Sequence, residues 1–436
     1  MEKTKKRRLN IVFESEVLDE MPQAERTKDK NKENAQSEES KGHIWEFIAI
    51  ASIPLVLVLG NSMLVPILPD MQEKMGISRF QSSLVITLFS ITAGLIIPIS
   101  GYLSDRFTRK AIIIPSLIIY GSAGILAGFG AIWNSYTVLI IARVIQGLGA
   151  AGTAPIAMAL VGDLYKGGTE SKALGLTEAS NGAGKVVSPI FGSLLALIVW
   201  FVPFFAFPVF CLLSLLAVIF IIKEPKKTKE PQTLKAYIGQ ILQILKEKGR
   251  WLIASFFAGS LALFILFGVL FYLSQILEEA PYRIEGVTKG LVLAIPLLGQ
   301  VVTAYTTGAL IKKNGTLMRW LMNIGLLLMT ISLALSIFFN SSLYVFIGLL
   351  TLSGIGTGLL LPCLNTMITG SVKREQRGMI TSLYNSLRFI GVAFGPPIFG
   401  WLMNISHRAI FITVSSLALI TLGVVFFLIK PKGQVN

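Results

Sequence analysis

Apolar runs recur along nearly the whole chain, each about 20 residues long, the length a helix needs to cross the hydrocarbon core of a bilayer. Twelve can be drawn, at 46–69, 80–103, 111–132, 136–160, 172–199, 203–223, 251–275, 288–311, 318–339, 343–368, 378–403 and 408–430. In lipid every backbone N–H and C=O must find its partner inside the protein, so runs of this length fold as helices packed in a bundle. The predicted fold class is therefore an all-α membrane protein with twelve transmembrane helices. Composition agrees: 53% of residues are hydrophobic, only 14% are charged, and the mean hydropathy is +0.69.

Other classes fall away on the same reading. Cys211 and Cys363 both lie in spans, so no disulfide framework is expected. His43 and His407 are far apart and outside the spans, so no histidine metal site is expected, and no cofactor either. The formal charge of +15 invites a nucleic-acid reading, but its distribution argues against one. In residues 1–43 ten Lys/Arg cancel ten Asp/Glu. Together with the polar run ERTKDKNKENAQSEES, this marks residues 1–45 as a disordered tail. That polar lead before the first apolar run is not the pattern of a cleavable signal. The excess positive charge belongs to the membrane region.

It falls on alternate loops. One set carries RFTRK (106–110), Lys166, Lys172, the segment 223–250, KKNGTLMR (312–319) and KREQR (373–377). The opposite set holds little beyond Lys74, Arg79, Arg283, Lys289 and Arg408. The positive-inside bias then makes the basic loops and both termini cytoplasmic. A linker at 224–250, with a short amphipathic piece from Leu234 to Leu245 read as a surface helix, separates six-span halves at 46–223 and 251–430. The halves repeat. GYLSDR at 101–106 returns as GALIKK 207 residues later, as does GLG at 147–149 with Pro155, seen again as GIG at 354–356 with Pro362. PIFG occurs at 189–192 and 397–400. Two parallel, pseudo-symmetric six-helix bundles form a transporter architecture.

The loop after the second span reads GYLSDRFTRK. It resembles the signature loop of the major facilitator superfamily, G-x-L-x-D-R-x-G-R-R, through Gly101, Leu103, Asp105, Arg106, Arg109 and Lys110, with Thr108 where glycine is usual. Gly101 would let two helices approach closely, and Asp105 would pair with a cation or face a helix N-terminus. The fourth span, IIARVIQGLGAAGTAP, resembles the motif of proton-driven members through Arg143, Gln146, Gly147, Gly149, Ala150 and Ala151. An arginine inside a span either faces protein or water or snorkels to the interface; the first is preferred for Arg143.

The fragment GAGK in the fifth span is no phosphate loop, because Ala179 and Val186 stand where glycine and Ser/Thr are required. Gly184, Ser188, Pro189 and Gly192 instead resemble a degenerate antiporter motif, G-x-x-x-G-P-x-x-G-G, that gives close packing and a bend. The eleventh span keeps a fuller form in Gly391, Gly395, Pro396, Pro397 and Gly400. The first span, LGNSMLVPILP, resembles that of twelve-span drug:proton antiporters through Leu59, Gly60, Pro66 and Pro69.

The charges inside the spans are Arg143, Lys185 and Arg388 against one acid, Glu178. Glu178 and Lys185, seven residues apart, share a helical face about 10 Å apart along the axis, too far for a direct salt bridge. Intramembrane charges mark pathways; a network that only ties helices together is the competing reading. Glu178, with Arg143, is the candidate for proton coupling. Lys185 and Arg388 are candidates for attracting an anionic substrate, and Asn61, Asn365 and Asn385 are candidate cavity residues, though helix–helix hydrogen bonds are the commoner fate of such amides. The abundant phenylalanines, typified by FFAGSLALFILFGVLFYLSQ in the seventh span, have two readings, an apolar aromatic wall for amphipathic solutes and lipid-facing filler, the second preferred for most. The resemblance implies a monomeric plasma-membrane exporter of a small amphipathic compound, in exchange for protons, by alternating access. The cargo is a drug or a secreted anionic metabolite such as a catecholate siderophore. A nutrient importer of the same fold and a lipid flippase remain rivals. An enzyme is disfavoured because no nucleophile–base or metal-ligand cluster lies in the spans.

Overall fold

The computed structural model describes residues 44–165, 167–224, 233–311, 314–339, 342–372 and 374–430; the side chains of 167–172, 374 and 375 are not described. The polar tail and residues 225–232 of the linker lie outside the described residues. The chain divides into two units, Met1–Ile48 and Ala49–Asn436. Of the first, residues 44–48 are described and are helical; all that follows concerns the second.

Among the described residues, eleven helices are long and apolar enough to cross a membrane. They are α1 (Ile44–Met75), α2 (Arg79–Arg106), α3 (Arg109–Ile132), α4 (Tyr136–Leu164), α6 (Val202–Phe220), α7 (Leu234–Glu278), α8 (Gly286–Ile311), α9 (Gly315–Leu335), α10 (Leu343–Gly370), α11 (Gln376–Met403, its helix beginning at Arg374) and α12 (His407–Leu428). The twelfth, α5 (Gly167–Ala196), is 30 residues long but not among the eleven, because its polar residues lower its hydropathy. A span that gives up apolarity must be compensated by what it faces inside the protein.

Local sequence sets the ends. Ser78 begins α2 with a reciprocal capping box to Gln81, and Thr108, Ser135, Thr233, Asn314 and Ser406 each accept a backbone N–H at the start of α3, α4, α7, α9 and α12. Such caps satisfy donors that the helix itself leaves unpaired. In α4 the helix breaks between Ala151 and Ala154, just ahead of Pro155, whose ring has no N–H to give.

The packing repeats with the sequence. Helices α2·α4, α3·α4 and α3·α6 pack in the first half, and α8·α10, α9·α10 and α9·α12 in the second. Glycines at the repeat offset meet equivalent neighbours. A Cβ on Gly147 would stand 2.5 Å from Phe89 O of α2, and one on Gly354 2.4 Å from Pro296 O of α8. Likewise Gly149 abuts α3 and Gly356 abuts α9. The halves meet along α2·α11 and α5·α8, which exchange under the same six-helix shift. This is the two-lobed bundle expected from the repeat.

Two expectations need correction. The amphipathic piece from Leu234 is no separate surface helix; it runs without a break into α7, a single helix of 45 residues. Its Tyr237 is buried against Tyr102 of α2, with ring centroids 5.2 Å apart. The phenylalanines of α7 are not lipid filler: Phe256, Phe264, Phe267 and Phe271 are buried, and Phe257 alone of that group is exposed. Helix α7 packs against α10, α11 and α12, so its apolar side chains face protein. Exposed apolar residues lie elsewhere, for example Leu213, Phe220 and Ile198.

Candidate functional site

Between the lobes lies a cavity of about 230 Å³. Its walls mix apolar groups such as Leu57, Phe267 and Phe389 with polar side chains from four helices. Helix α1 supplies Asn61 and Ser62, α5 supplies Glu178, Asn181 and Lys185, α10 supplies Asn365 and Thr369, and α11 supplies Thr381, Tyr384, Asn385 and Arg388. The interrupted part of α4 adds Ala154, Pro155 and Met158.

Six residues singled out in the sequence therefore line one cavity: Glu178, Lys185, Arg388, Asn61, Asn385 and Asn365. Lys185 is within electrostatic reach of both Arg388 and Glu178, and it makes no salt bridge among the described residues. Arg388 donates from Nη1 to Asn385 Oδ1 at 3.2 Å and lies 5.4 Å over the ring of Tyr384.

Arg143 is absent from that wall. It is fully buried, which excludes snorkelling. Its Nε donates to Val85 O at 2.8 Å, Nη1 to Gln146 Oε1, and Nη2 to Asn61 Oδ1 at 2.9 Å, while its guanidinium lies 4.4 Å over the ring of Phe89. Asn61 donates in turn to Ser90 Oγ at 3.0 Å. Asn61 thus does both things open to it: it ties α1 to α2 and α4, and it faces the cavity.

The motif residues lie away from the cavity. A Cβ on Gly101 would stand 2.7 Å from Ser382 Oγ, so its bareness lets α2 approach α11. Asp105 accepts from Arg109 Nη1 at 2.6 Å, and Arg109 Nε donates to Asp163 Oδ2 at 2.8 Å. The carboxylate of Glu224 accepts the backbone N–H of Arg109 at 2.5 Å and of Lys110 at 2.9 Å, an anion at the positive end of α3. Arg106 is exposed, 3.5 Å from Tyr102 Oη. In α5 a Cβ on Gly184 would meet Leu55 at 2.8 Å, and one on Gly192 would meet Met63 O at 2.1 Å. Pro189 is buried, and its carbonyl faces Gly290 of α8.

Sequence reading passed over Asn181, Tyr384, Glu224 and Asp163. For Asn181 a signal existed, since it falls three residues after Glu178 and four before Lys185 on the same helical face. Tyr384 is likewise one turn before Arg388. Glu224 and Asp163 are joined to the signature loop only by tertiary contact.

Two six-helix lobes around a cavity that sets a few charged and polar groups among apolar walls, with this loop at their junction, are the layout the sequence resemblance implied. The Major Facilitator Superfamily model matches residues 50–282 and 278–436. The chain belongs to the major facilitator superfamily. The bacillibactin exporter of Bacillus subtilis (strain 168) is 45% identical over 389 residues, covering 88% of this chain and 96% of that protein. Multidrug resistance protein 1 of the same organism is 27% identical over 356 residues, covering 80% and 87%. Among solved structures, the human organic anion transporter MFSD10 (TETRAN) superposes with a TM-score of 0.69 at 19% identity, covering 88% of this chain and 99% of that one, a likeness of fold. This superfamily member is a multi-pass membrane transporter of the drug-exporter group, a secondary transporter of small compounds and not an enzyme.

Proposed function

We propose that the protein exports a small anionic metabolite, of the catecholate siderophore kind, across the plasma membrane in exchange for protons. The observation that carries this is the charge of the cavity wall: among the described residues, Lys185 and Arg388 stand against one acid, Glu178. Two cations in a chamber with apolar walls favour an anion whose body is apolar. A relative 45% identical is named a bacillibactin exporter, which points the same way. The cavity also suits amphipathic drugs, and the relative named multidrug resistance protein 1 keeps that broader specificity as the second reading.

In the proposed cycle the basic loops and both termini are cytoplasmic, and the protein acts as a monomer. Glu178 takes a proton while the cavity opens outward and gives it up when the cavity opens inward. Arg143 acts on the same wall through Asn61.

Everted membrane vesicles test this. Accumulation of a catecholate, driven by an inward-acid gradient and abolished by a protonophore, is the expected result. Accumulation of cationic dyes alone would leave only the drug reading, and uptake indifferent to the gradient would remove proton exchange.

A further inference from the structure

Residues 234–250 precede the span expected at 251–275 but belong to the same helix, α7. Contacts with α2 fix where they lie. At one end of α2 Arg79 pairs at 2.8 Å with Glu279, just past α7, and near the other end the ring of Tyr102 lies 5.2 Å from that of Tyr237. Arg79 to Tyr102 is about 35 Å of helix, whereas Tyr237 to Glu279 would measure about 63 Å along a straight one. Side chains that reach sideways do not make up such a difference. Helix α7 therefore leaves the bundle axis, and its first turns lie across the end of the bundle. That end is the basic one, since Tyr102 is one turn from Arg106, where RFTRK begins.

The sides of these turns differ. Tyr237 and Ile244, two turns apart on one face, are buried against protein. On the adjoining flank Leu234, Ile238 and Leu242, each one turn from the next, are 54%, 47% and 61% exposed. Lys246 and Arg250, both exposed, continue that row at the same spacing, and the exposed Ile253 and Phe257 carry it into the span. Along one side the helix thus reads apolar, cationic, apolar. Lys235 adds a third exposed cation to the flank. None of the three cations is in a salt bridge among the described residues. The acid nearest in sequence, Glu247, lies round the other side, where it accepts from Gln243 Nε2 at 2.9 Å.

Exposed apolar side chains beside unpaired cations, at the depth where a span begins, suit the headgroup layer of a bilayer that contains anionic lipid. Glycerol and upper acyl groups cover the apolar row, and phosphates meet the lysines and the arginine. A soluble partner would also cover an apolar row, but this row runs on into exposed apolar residues of the span, which a bilayer surrounds with acyl chains. We infer that the start of α7 docks, through Leu234, Ile238 and Leu242 with Lys235, Lys246 and Arg250, on anionic phospholipid of the leaflet at the basic end of the bundle. The contact bears on the junction of the lobes. Tyr237 Oη lies 3.8 Å from the Cβ position of Gly101, which in turn abuts Ser382 of α11, so a leaflet that holds this segment presses on the seam between α2 and α11. None of this depends on the identity of the cargo.

Spin labelling of the full-length protein in nanodiscs tests it, after Cys211→Ala and Cys363→Ala remove the native thiols. Labels are placed by Leu242→Cys on the row and by Gln243→Cys beside it. Their collisions with oxygen and with a water-soluble nickel chelate are compared in discs of phosphatidylcholine with and without phosphatidylglycerol. With phosphatidylglycerol present, the label at 242 should favour oxygen and the label at 243 nickel. Each cation near an anionic surface strengthens attachment about fivefold. Lys235→Gln, Lys246→Gln and Arg250→Gln together should therefore move 242 toward the nickel profile and abolish its response to phosphatidylglycerol. This triple variant should keep the wild-type melting temperature in detergent; a lower one would tie the cations to the protein itself and count against the proposal. If 242 is as open to nickel as 243 in both kinds of disc, the leaflet is not the occupant and a soluble partner takes its place. Oxygen-rich collisions at 242 that ignore both phosphatidylglycerol and the triple replacement would overturn the anionic contact.

Discussion

Arg143 donates to Asn61 Oδ1 at 2.9 Å, so the buried cation of α4 meets the cavity only through an amide of α1. The other partners of the guanidinium are Val85 O, Gln146 and the Phe89 ring, all away from the cavity wall. Whatever Arg143 contributes to transport should therefore pass through Asn61. Replacing Asn61 with Leu removes one acceptor from a fully buried charge, a loss of about 1.5–3 kcal/mol for a hydrogen bond to an ionised group. The expected outcome is a lower melting temperature with transport reduced at least tenfold, while Asn61→Ser, whose hydroxyl can also accept, recovers part of both. Vesicle uptake beside a thermal melt of each variant measures this. Equal transport in the Leu and Ser variants would show that the contact with Arg143 is only structural.

Glu178 is the one acid of the cavity wall among the described residues. Its replacement by Gln keeps size and hydrogen bonding but removes the exchangeable charge. In everted vesicles the Glu178→Gln protein should lose accumulation against a gradient while still exchanging labelled for unlabelled substrate across the membrane, because exchange needs the cavity to alternate but not to release a proton. Uphill transport by this variant would remove Glu178 from the proton path.

How much of this was legible in the sequence depends on what lipid imposes. The number of spans and the duplication were readable because a helix in a bilayer must be long and apolar, and because Gly147 and Gly354 occupy equivalent crossings. Glu178, Lys185 and Arg388 were conspicuous as charges in apolar surroundings. Asn181 and Tyr384 were not, since an amide and a phenol have many ordinary fates inside a bundle. The phenylalanines of α7 misled for a different reason: hydropathy cannot tell a lipid tail from a neighbouring helix. The cap that Glu224 places on α3 and the ion pair of Asp163 with Arg109 depend on which segments come together, and no local pattern encodes that.

Gly192 tests the close packing of α5. A Cβ there would stand 2.1 Å from Met63 O, a backbone atom that cannot swing aside. Overpacking of this kind costs about 1–3 kcal/mol. Gly192→Ala should lower the melting temperature by several degrees, and Gly192→Val should prevent accumulation of folded protein. By contrast Gly175, earlier in the same helix, has nothing within 4 Å of its Cβ position, and Gly175→Ala should be neutral or slightly stabilising. Fluorescence-detected size-exclusion chromatography of heated samples distinguishes the two.

At the end of the bundle opposite the basic loops, Lys289 of α8 is 2% exposed and paired with Glu278 of α7. Asp70 of α1 and Glu285 also lie within electrostatic reach. Breaking a buried pair strands the remaining charge, at a cost of about 3–5 kcal/mol, whereas removing both partners can be nearly neutral. Lys289→Met alone should therefore destabilise the protein strongly, since it leaves Glu278 and Asp70 facing each other without their shared cation. Lys289→Met combined with Glu278→Gln should recover much of the loss. The neighbouring Arg79–Glu279 pair, at 2.8 Å but with side chains 31% and 47% exposed, joins α2 to the loop after α7 across the two lobes. Exposed pairs are worth little, about 0–1 kcal/mol, so Arg79→Ala should leave the melting temperature within a degree or two. A double-mutant cycle on melting temperature separates the cases. Non-additivity is expected for Lys289 with Glu278, and simple additivity for Arg79 with Glu279. If the Lys289→Met melt matched the wild type, the buried pair would hold nothing together, and the closure of that end would have to come from apolar contacts such as Leu68 and Met71 instead.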